Sequence, residues 1–469
     1  MWVNGAPGAL LLVTPLTRSL FSHDCLANNY YGSFGNDAKS VFIPPEACFD
    51  AVATGSFFES GSLTLASRPV EQLVWVERAA LDASLIDGAD DEFASFLGRL
   101  EAEADTVAKR QQEPLGVPSE AGYELLYRSQ TAALISVSTT TAWTVDTLLP
   151  RFWKSTLLPT SPVDFIEVPE DAVKHVKSVL STLSFSADVA AIVDSISIPQ
   201  MINDIRYLTG EDGSGIESRH SFAEGSRVAA DWLKARFEET GATCELQPFR
   251  IGFTPNVVCA YPSAVESNST VIFSSHYDSR GSFGSLRAPG GDDDGSGTIA
   301  ILALARTIAR KGVKFHSNVQ LVAFGGEEQG LLGSKAYART LREANTNITL
   351  MVQADMLGYH APGEPAQLGL PARIGTPEVA QLIANVSALY SPELRVGYTA
   401  ACCSDHQSFH EQGFPATQVF ERAGPIVDPM YHNSGDLSDR EGYDFEQIKS
   451  IAKVQLASLL HTAGYEISK

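Results

Sequence analysis

The chain has 469 residues, and 34 Lys+Arg against 56 Asp+Glu leave a formal net charge of −22. That balance offers no basic footprint for a phosphate backbone or an anionic membrane, so it argues against nucleic acid and charged lipid as partners. With 44% hydrophobic and 9% aromatic residues the chain can bury a large core, which argues against global disorder. At roughly 100–200 residues per domain, the length predicts two or three domains.

In chain order, the first feature is a short apolar stretch over 9–16, broken by Pro15 and without a basic segment before it. It resembles a poor or truncated signal peptide. No run of about 20 apolar residues occurs anywhere, so no membrane-spanning helix is predicted. Residues 1–120 mix turn-rich stretches with an acidic, Ala-rich helix over 89–112. Residues 123–147 read as strands, the last of them the β-branched run Thr139-Thr140-Thr141-Ala142-Trp143-Thr144-Val145. A Pro-rich stretch follows over 150–169. Nothing in 1–190 has the spacing of a catalytic or metal site, and the region reads as an α+β accessory domain, propeptide-like or cap-like.

The character changes near residue 190, and 191–469 reads as a second domain. Helices are expected over 198–207 and 221–240, followed by strands over 270–275, 318–324, 349–354 and 417–420. The helices expected among and after these strands cover 297–310, 333–343, 377–390 and 444–463. Alternation of this kind predicts an α/β fold, a mostly parallel central sheet with helices on both faces. Ligands of such sheets bind beyond the carboxyl ends of the strands.

Six cysteines are present. Cys25 and Cys48 lie in the N-terminal region. Cys244 and Cys259 flank two extended-looking segments and suit a hairpin disulfide. Cys402 and Cys403 are adjacent, which allows a vicinal bridge or two separate partners; six buried thiols are the alternative. Sequons at Asn268, Asn347 and Asn385 fit a secretory route. Together these features place the protein in the secretory pathway or a vacuole.

The chemistry lies in the residues just beyond each strand. The first strand delivers His276-Tyr277-Asp278, and Gly290 to Gly297 then carry the triplet Asp292-Asp293-Asp294. The second delivers Gly325-Gly326-Glu327-Glu328, and the third Asp355. Beyond the last come His432 and, four residues on, Asp436 as a second-shell candidate. Taken singly, each piece has an ordinary reading. His276 and Asp278 share one side of a strand as a polar pair, or Asp278 orients a ligating His276 through its second ring nitrogen. The Asp triplet is a helix N-cap or a ligand source. Taken together, His276, Asp293, Glu328, Asp355 and His432 form a nitrogen and carboxylate set suited to zinc. One carboxylate shared between two ions is the arrangement of two-metal aminopeptidases, among others, with Glu327 as general base for a metal-activated water.

The segments Ser275–Ser279, Ala288–Gly297, Gly326–Ser334 and Asp355-Met356, then Ser404-Asp405-His406 and His432, resemble metallopeptidase family twenty-eight. The resemblance covers roughly 190–469. It implies a phosphorylase/hydrolase-like zinc exopeptidase fold and two zinc ions. His276 and Asp355 would hold one ion, Glu328 and His432 the other, with Asp293 bridging. Glu327 would be the catalytic base, and Asp278 the orienter of His276. Met356 falls where family members line the pocket for the first substrate side chain, and Asp405 and His406 are read as shaping that pocket. His410 and the pair Arg219-His220 are read as structural. Two features depart from the pattern. The family disulfide before Ser-Asp-His has its cysteines a few residues apart, whereas Cys402 and Cys403 are neighbours, and 1–190 has no counterpart in the minimal enzymes. The short span between Arg219 and His276 leaves little room for the insert of the carboxypeptidase and receptor branch. The implied activity is aminopeptidase, acting on a peptide or protein with a free N-terminus. The alternatives are a glutaminyl-cyclase-like acyltransferase with one zinc, or a binding module on the same scaffold.

Overall fold

The computed structural model describes residues 8–48, 61–86, 89–110, 122–282, 285–401 and 403–467. Two compact units divide the chain, Met1–Phe165 and Ile166–Lys469.

In the first unit, β1 (Leu10–Pro15), β2 (Tyr30–Phe34), β3 (Lys39–Phe42) and β4 (Ser62–Leu65) form an antiparallel sheet in the order β2-β3-β1-β4. A second antiparallel sheet, in the order β6-β7-β5-β8, is built from β5 (Gln72–Arg78), β6 (Tyr123–Arg128), β7 (Ala132–Val137) and β8 (Trp153–Leu157). Two expectations are corrected here. The apolar stretch read as a signal-like segment is β1. It is apolar at successive positions because both faces are buried: Leu11 and Val13 pack with Leu73 and Trp75, while Leu12 packs with Leu26, Tyr30 and Phe42. The threonine-rich run read as a strand is the helix Thr139–Thr144. The Ser138 hydroxyl accepts the Thr141 N–H at 3.0 Å, and this N-cap overrides the β preference of threonine. The acidic helix forms over Ala89–Arg110, and Cys25 pairs with Cys48.

The second unit is built around a six-stranded sheet. Its strands are β9 (Thr243–Gln247), β10 (Asn256–Tyr261), β11 (Ser269–His276), β13 (Asn318–Phe324), β14 (Asn347–Ala354) and β17 (Ala416–Val419), in the order β17-β14-β11-β13-β10-β9. The short strands β12 (Val313–Phe315) and β18 (Tyr465–Ile467) pair with each other, as do β15 (Gln367–Pro371) and β16 (Arg395–Thr399). β17, β14, β11 and β13 run parallel, and β10 and β9 extend the sheet as an antiparallel edge. Cys244 and Cys259 face each other across β9 and β10 and are bonded. Cys402 and its pairing lie outside the described residues.

Alternate side chains enter two layers, as strand geometry requires. Val271, Phe273, Val319 and Leu321 join the core under the helices Gly295–Lys311 and Phe445–Ala463, while Ile272, Val322 and Phe324 meet Tyr337, Ala338 and Phe409 on the opposite face. In the helix Gly295–Lys311 every residue over 295–305 is buried, the mark of a core helix. The helices Lys174–Thr182 and Ala187–Val193 also belong to this unit and send Val176, Val189, Ile192 and Val193 into its core, so the change of character near residue 190 falls inside it.

The register of the parallel strands sets the site. His276 lies level with Phe324, and Ser274 with Gln353, so the residues following β13 and β14 emerge beside the end of β11.

Candidate metal centre

His276 ends β11, Glu327 and Glu328 follow β13, and Asp355 follows β14. Asp293 stands in the turn before the helix Gly295–Lys311, and His432 comes from the loops after β17. Their ligand atoms gather into two trios, His276 with Glu327 and Asp355, and Asp293 with Glu328 and His432, all within 4.8 Å inside each trio. Asp293 links the trios: its Oδ1 is 3.3 Å from His276 Nε2 and its Oδ2 is 3.3 Å from His432 Nε2. Asp355 Oδ1 lies 3.8 Å from His276 Nε2, and Glu328 Oε2 3.1 Å from His432 Nε2.

The electrostatics describe a buried anionic cleft. Burial alone would raise the Asp293 carboxyl, but His276 and His432 overcome it and hold Asp293 below the usual range. Burial pushes Glu327 well up, and the charges of Asp355, Glu328 and Asp405 add to the effect. Glu328 is raised in the same way. Both histidines are pushed up against burial, His276 by Glu327 and the aspartates around it, His432 by Glu328 and Asp293. Glu328 Oε1 is buried without a hydrogen-bond partner. An orphaned carboxylate oxygen among crowded carboxylates and imidazole nitrogens fits a bound cation, and this donor set fits zinc.

The Asp triplet combines both of its readings on different members. Asp293 faces the trios. Asp294 caps the helix by accepting the Gly297 N–H at 2.9 Å, and also accepts the N–H of His276 at 3.1 Å and of Met356 at 3.1 Å. Asp292 accepts the Gly358 N–H at 2.7 Å. The outer pair thus ties the ends of β11 and β14 to the turn that carries Asp293. Asp436 accepts the N–H of Asp292 at 3.0 Å and of Asp293 at 3.1 Å, and is itself paired with Arg440 at 3.0 Å. Its support therefore reaches the backbone of Asp293.

Asp278 is less simple than an orienter. His276 Nδ1 lies 3.7 Å from the Asp278 carboxylate but 3.2 Å from the Asp278 backbone carbonyl. The carboxylate receives the N–H of Glu327 at 3.2 Å and of Glu328 at 3.3 Å. Arg280, not anticipated from the sequence, brings Nη1 to 3.2 Å from His432 Nδ1. Only folding reveals such a residue, because the two are 152 positions apart. Arg219 is fully buried and donates to the carbonyls of Tyr277, Leu208, Pro289 and Gly290.

The three pocket candidates are buried. Met356 adopts a left-handed φ of 50°. Asp405 accepts from Gln353 Nε2 at 3.1 Å, and burial lifts its carboxyl to about 7. His406 Nε2 lies 3.2 Å from the Ile374 carbonyl, and burial lowers the pKa of His410.

Residues 256–458 match peptidase family M28. A protein named "Probable leucine aminopeptidase" in Arthroderma otae is 33% identical over 279 residues, covering 57% of this chain and 73% of its own length. Leucine aminopeptidase 1 of Sclerotinia sclerotiorum is 28% identical over 309 residues, covering 60% of this chain and 77% of its own. Among solved structures, the LapA aminopeptidase of Legionella pneumophila superposes with a TM-score of 0.56 at 18% identity, over 85% of this chain and 99% of that one, a likeness of fold. With a 33%-identical relative matched over most of its length and the trios at the strand ends, the chain belongs to peptidase family M28, a family of zinc-dependent peptidases.

Proposed function

We propose that this protein is a zinc aminopeptidase that releases residues from the free N-terminus of peptides, with two zinc ions per chain. The observation that carries the two-ion site is Asp293, which offers one carboxylate oxygen to each histidine at the same 3.3 Å, and the leucine aminopeptidase relatives support action at the N-terminus. His276 and Asp355 would hold one ion, Glu328 and His432 the other, and Asp293 both. Bound zinc supplies Lewis-acid polarisation of the scissile carbonyl and acidifies a water.

The chain's own residues then divide the work. Glu327 receives the proton of the attacking water on a carboxylate oxygen and returns it to the departing amine. Asp278 and Asp294 keep His276 and the Glu-Glu turn in register with the end of the sheet. Met356, Asp405 and His406 are our candidates for the wall beside the substrate's first side chain. Two disulfides fit a secreted protein, and no single helix among the described residues is long and apolar enough to cross a membrane. We assign the first unit a propeptide or cap role.

A panel of aminoacyl-nitroanilides beside their N-acetylated forms tests the reading, run with and without a zinc chelator. Cleavage of free-amine substrates alone, abolished by the chelator, is expected. Equal cleavage of the acetylated forms overturns the aminopeptidase assignment. One zinc per chain with pyroglutamate formation would instead identify a cyclase.

A further inference from the structure

The turn that carries Glu327 and Glu328 begins where the β13 ladder stops, at Phe324. From there each successive amide N–H is received by a side chain from elsewhere in the fold. Gly325 donates to Asn256 Oδ1 at 3.2 Å and Gly326 to Ser221 Oγ at 3.0 Å. Glu327 donates to Asp278 Oδ1 at 3.2 Å and Glu328 to Asp278 Oδ2 at 3.3 Å. The acceptors are coupled, because the Ser221 hydroxyl donates its proton to Asp278 Oδ2 at 3.0 Å. Asn256 also grips the far side of the turn, donating to the Gly333 carbonyl at 3.0 Å. Asn256, Ser221 and Asp278 are all buried, so water cannot replace any of them. Gly326 has a φ of 71°, and a Cβ there would lie 2.9 Å from the Phe249 ring, so this turn requires glycine and draws its fixed shape from the acceptors around it.

We propose that Ser221 is a positioning residue for the hydrolysis: with Asp278 and Asn256 it forms a side-chain cradle that fixes the base Glu327 and its neighbour Glu328 against the rest of the site. This rests on the aminopeptidase reading for the role of Glu327, but the cradle itself does not. Ser221 is the keystone, since its one hydroxyl receives the Gly326 N–H and donates to the carboxylate that holds the next two amides. Removing that oxygen leaves a buried N–H without a partner and Asp278 with one donor fewer. The turn then relaxes, although no atom touching substrate has changed.

Ser221→Thr and Ser221→Val form the test, because both add the same bulk and only threonine keeps the hydroxyl. Ser221→Ala, which adds no atom, guards against misfit of the larger side chains. Three quantities are read: hydrogen exchange over 325–328 in the metal-free full-length chain, zinc retention against a chromogenic chelator, and kcat and KM on an aminoacyl-nitroanilide. In the valine and alanine variants, exchange over 325–328 is expected to accelerate. Zinc retention and kcat are expected to fall about 10–100-fold, as for other supporting-shell losses, with KM unchanged. Threonine is expected to stay near wild type. Equal exchange in valine and threonine variants overturns the cradle. Faster exchange with equal kcat and zinc retention overturns the positioning role. If the wild type neither binds zinc nor cleaves the substrate, the proposed function fails, and the exchange comparison still decides the cradle. Asn256→Ala, at the end of the turn remote from Glu327, is expected to give the same pattern at smaller amplitude.

Discussion

Both units are built on sheets, yet they treat buried charge in opposite ways. Among the described residues of the first unit, the buried carboxylate Glu77 accepts the Asn36 N–H and lies 3.4 Å from the Lys154 ammonium. In the second unit, Asp278, Asp292, Asp293, Asp294 and Glu328 are buried within one end of a single sheet, with Glu328 Oε1 unpartnered. Gathering like charges in a low-dielectric site works against folding unless a cation or protons compensate. Glu77 is thus compensated from within its own fold, whereas the acids at the sheet end of the second unit form an arrangement that a cation would complete.

The sharpest way to break that contrast is Glu327→Gln, which removes a proton acceptor and almost nothing else. If the charge gathered at the sheet end exists for hydrolysis, kcat falls by about 10²–10⁴-fold, with KM and zinc content retained. A variant that keeps its kcat removes Glu327 from the chemistry.

The boundary between the units can be probed next. A chain begun at residue 191 lacks Val176 and Val189, both fully buried in the core of the second unit, whereas one begun at 166 keeps them. At about 1.5–3 kcal/mol for each buried valine, the shorter chain is expected to lose at least about 3 kcal/mol of stability, read as a lower urea midpoint. Equal midpoints would mean that the helices Lys174–Thr182 and Ala187–Val193 are not part of the folded core.

These elements show what was legible in the sequence. The strand Asn318–Phe324 and the helix Pro377–Tyr390 form over the expected residues, because period and punctuation both speak there. His276, Asp293, Glu328, Asp355 and His432 stand out because each follows a strand or opens a helix, and the fold gathers them. The supporting residues are mostly silent. Ser221 meets Asp278 across 57 positions with no local pattern to announce it, and Asp436, expected as a supporting residue, meets the Asp293 backbone 143 positions away. The strand β1 and the helix Thr139–Thr144 escape a sequence reading for a related reason: two-faced burial imitates a targeting segment, and one capping serine outweighs four threonines.

Metal removal separates the units without a mutation. Each zinc site filled at 100 times its dissociation constant stabilises the bound state by about 2.7 kcal/mol, so two sites contribute about 5 kcal/mol. A chelator should therefore lower the melting of the second unit by a corresponding amount and leave the first unmoved. A shift confined to the first unit would place the metal elsewhere.

The pH dependence of the metal-free protein comes last, because there the sign and not the size is decisive. Burial holds the carboxyls of Asp292 and Asp405 at about 7 and pushes Glu327 well above its ordinary value. His276 and His432 are also raised, by the carboxylates around them. Each group binds its proton more tightly folded than unfolded. Its contribution is thus fully present below its unfolded pKa and lost as pH rises through its folded one. For the carboxyls that window opens near pH 4 and extends to about 7, and for the histidines it starts near 6.5. The metal-free second unit should therefore be more stable at about pH 5 than at about pH 8. Zinc adds a contribution of the opposite sign, because binding requires His276 and His432 neutral and Glu328 ionised and so releases their protons. Urea unfolding at both pH values, with and without zinc, reads the two slopes directly. The same slope in both states would mean that His276, His432 and Glu328 are not the metal's ligands.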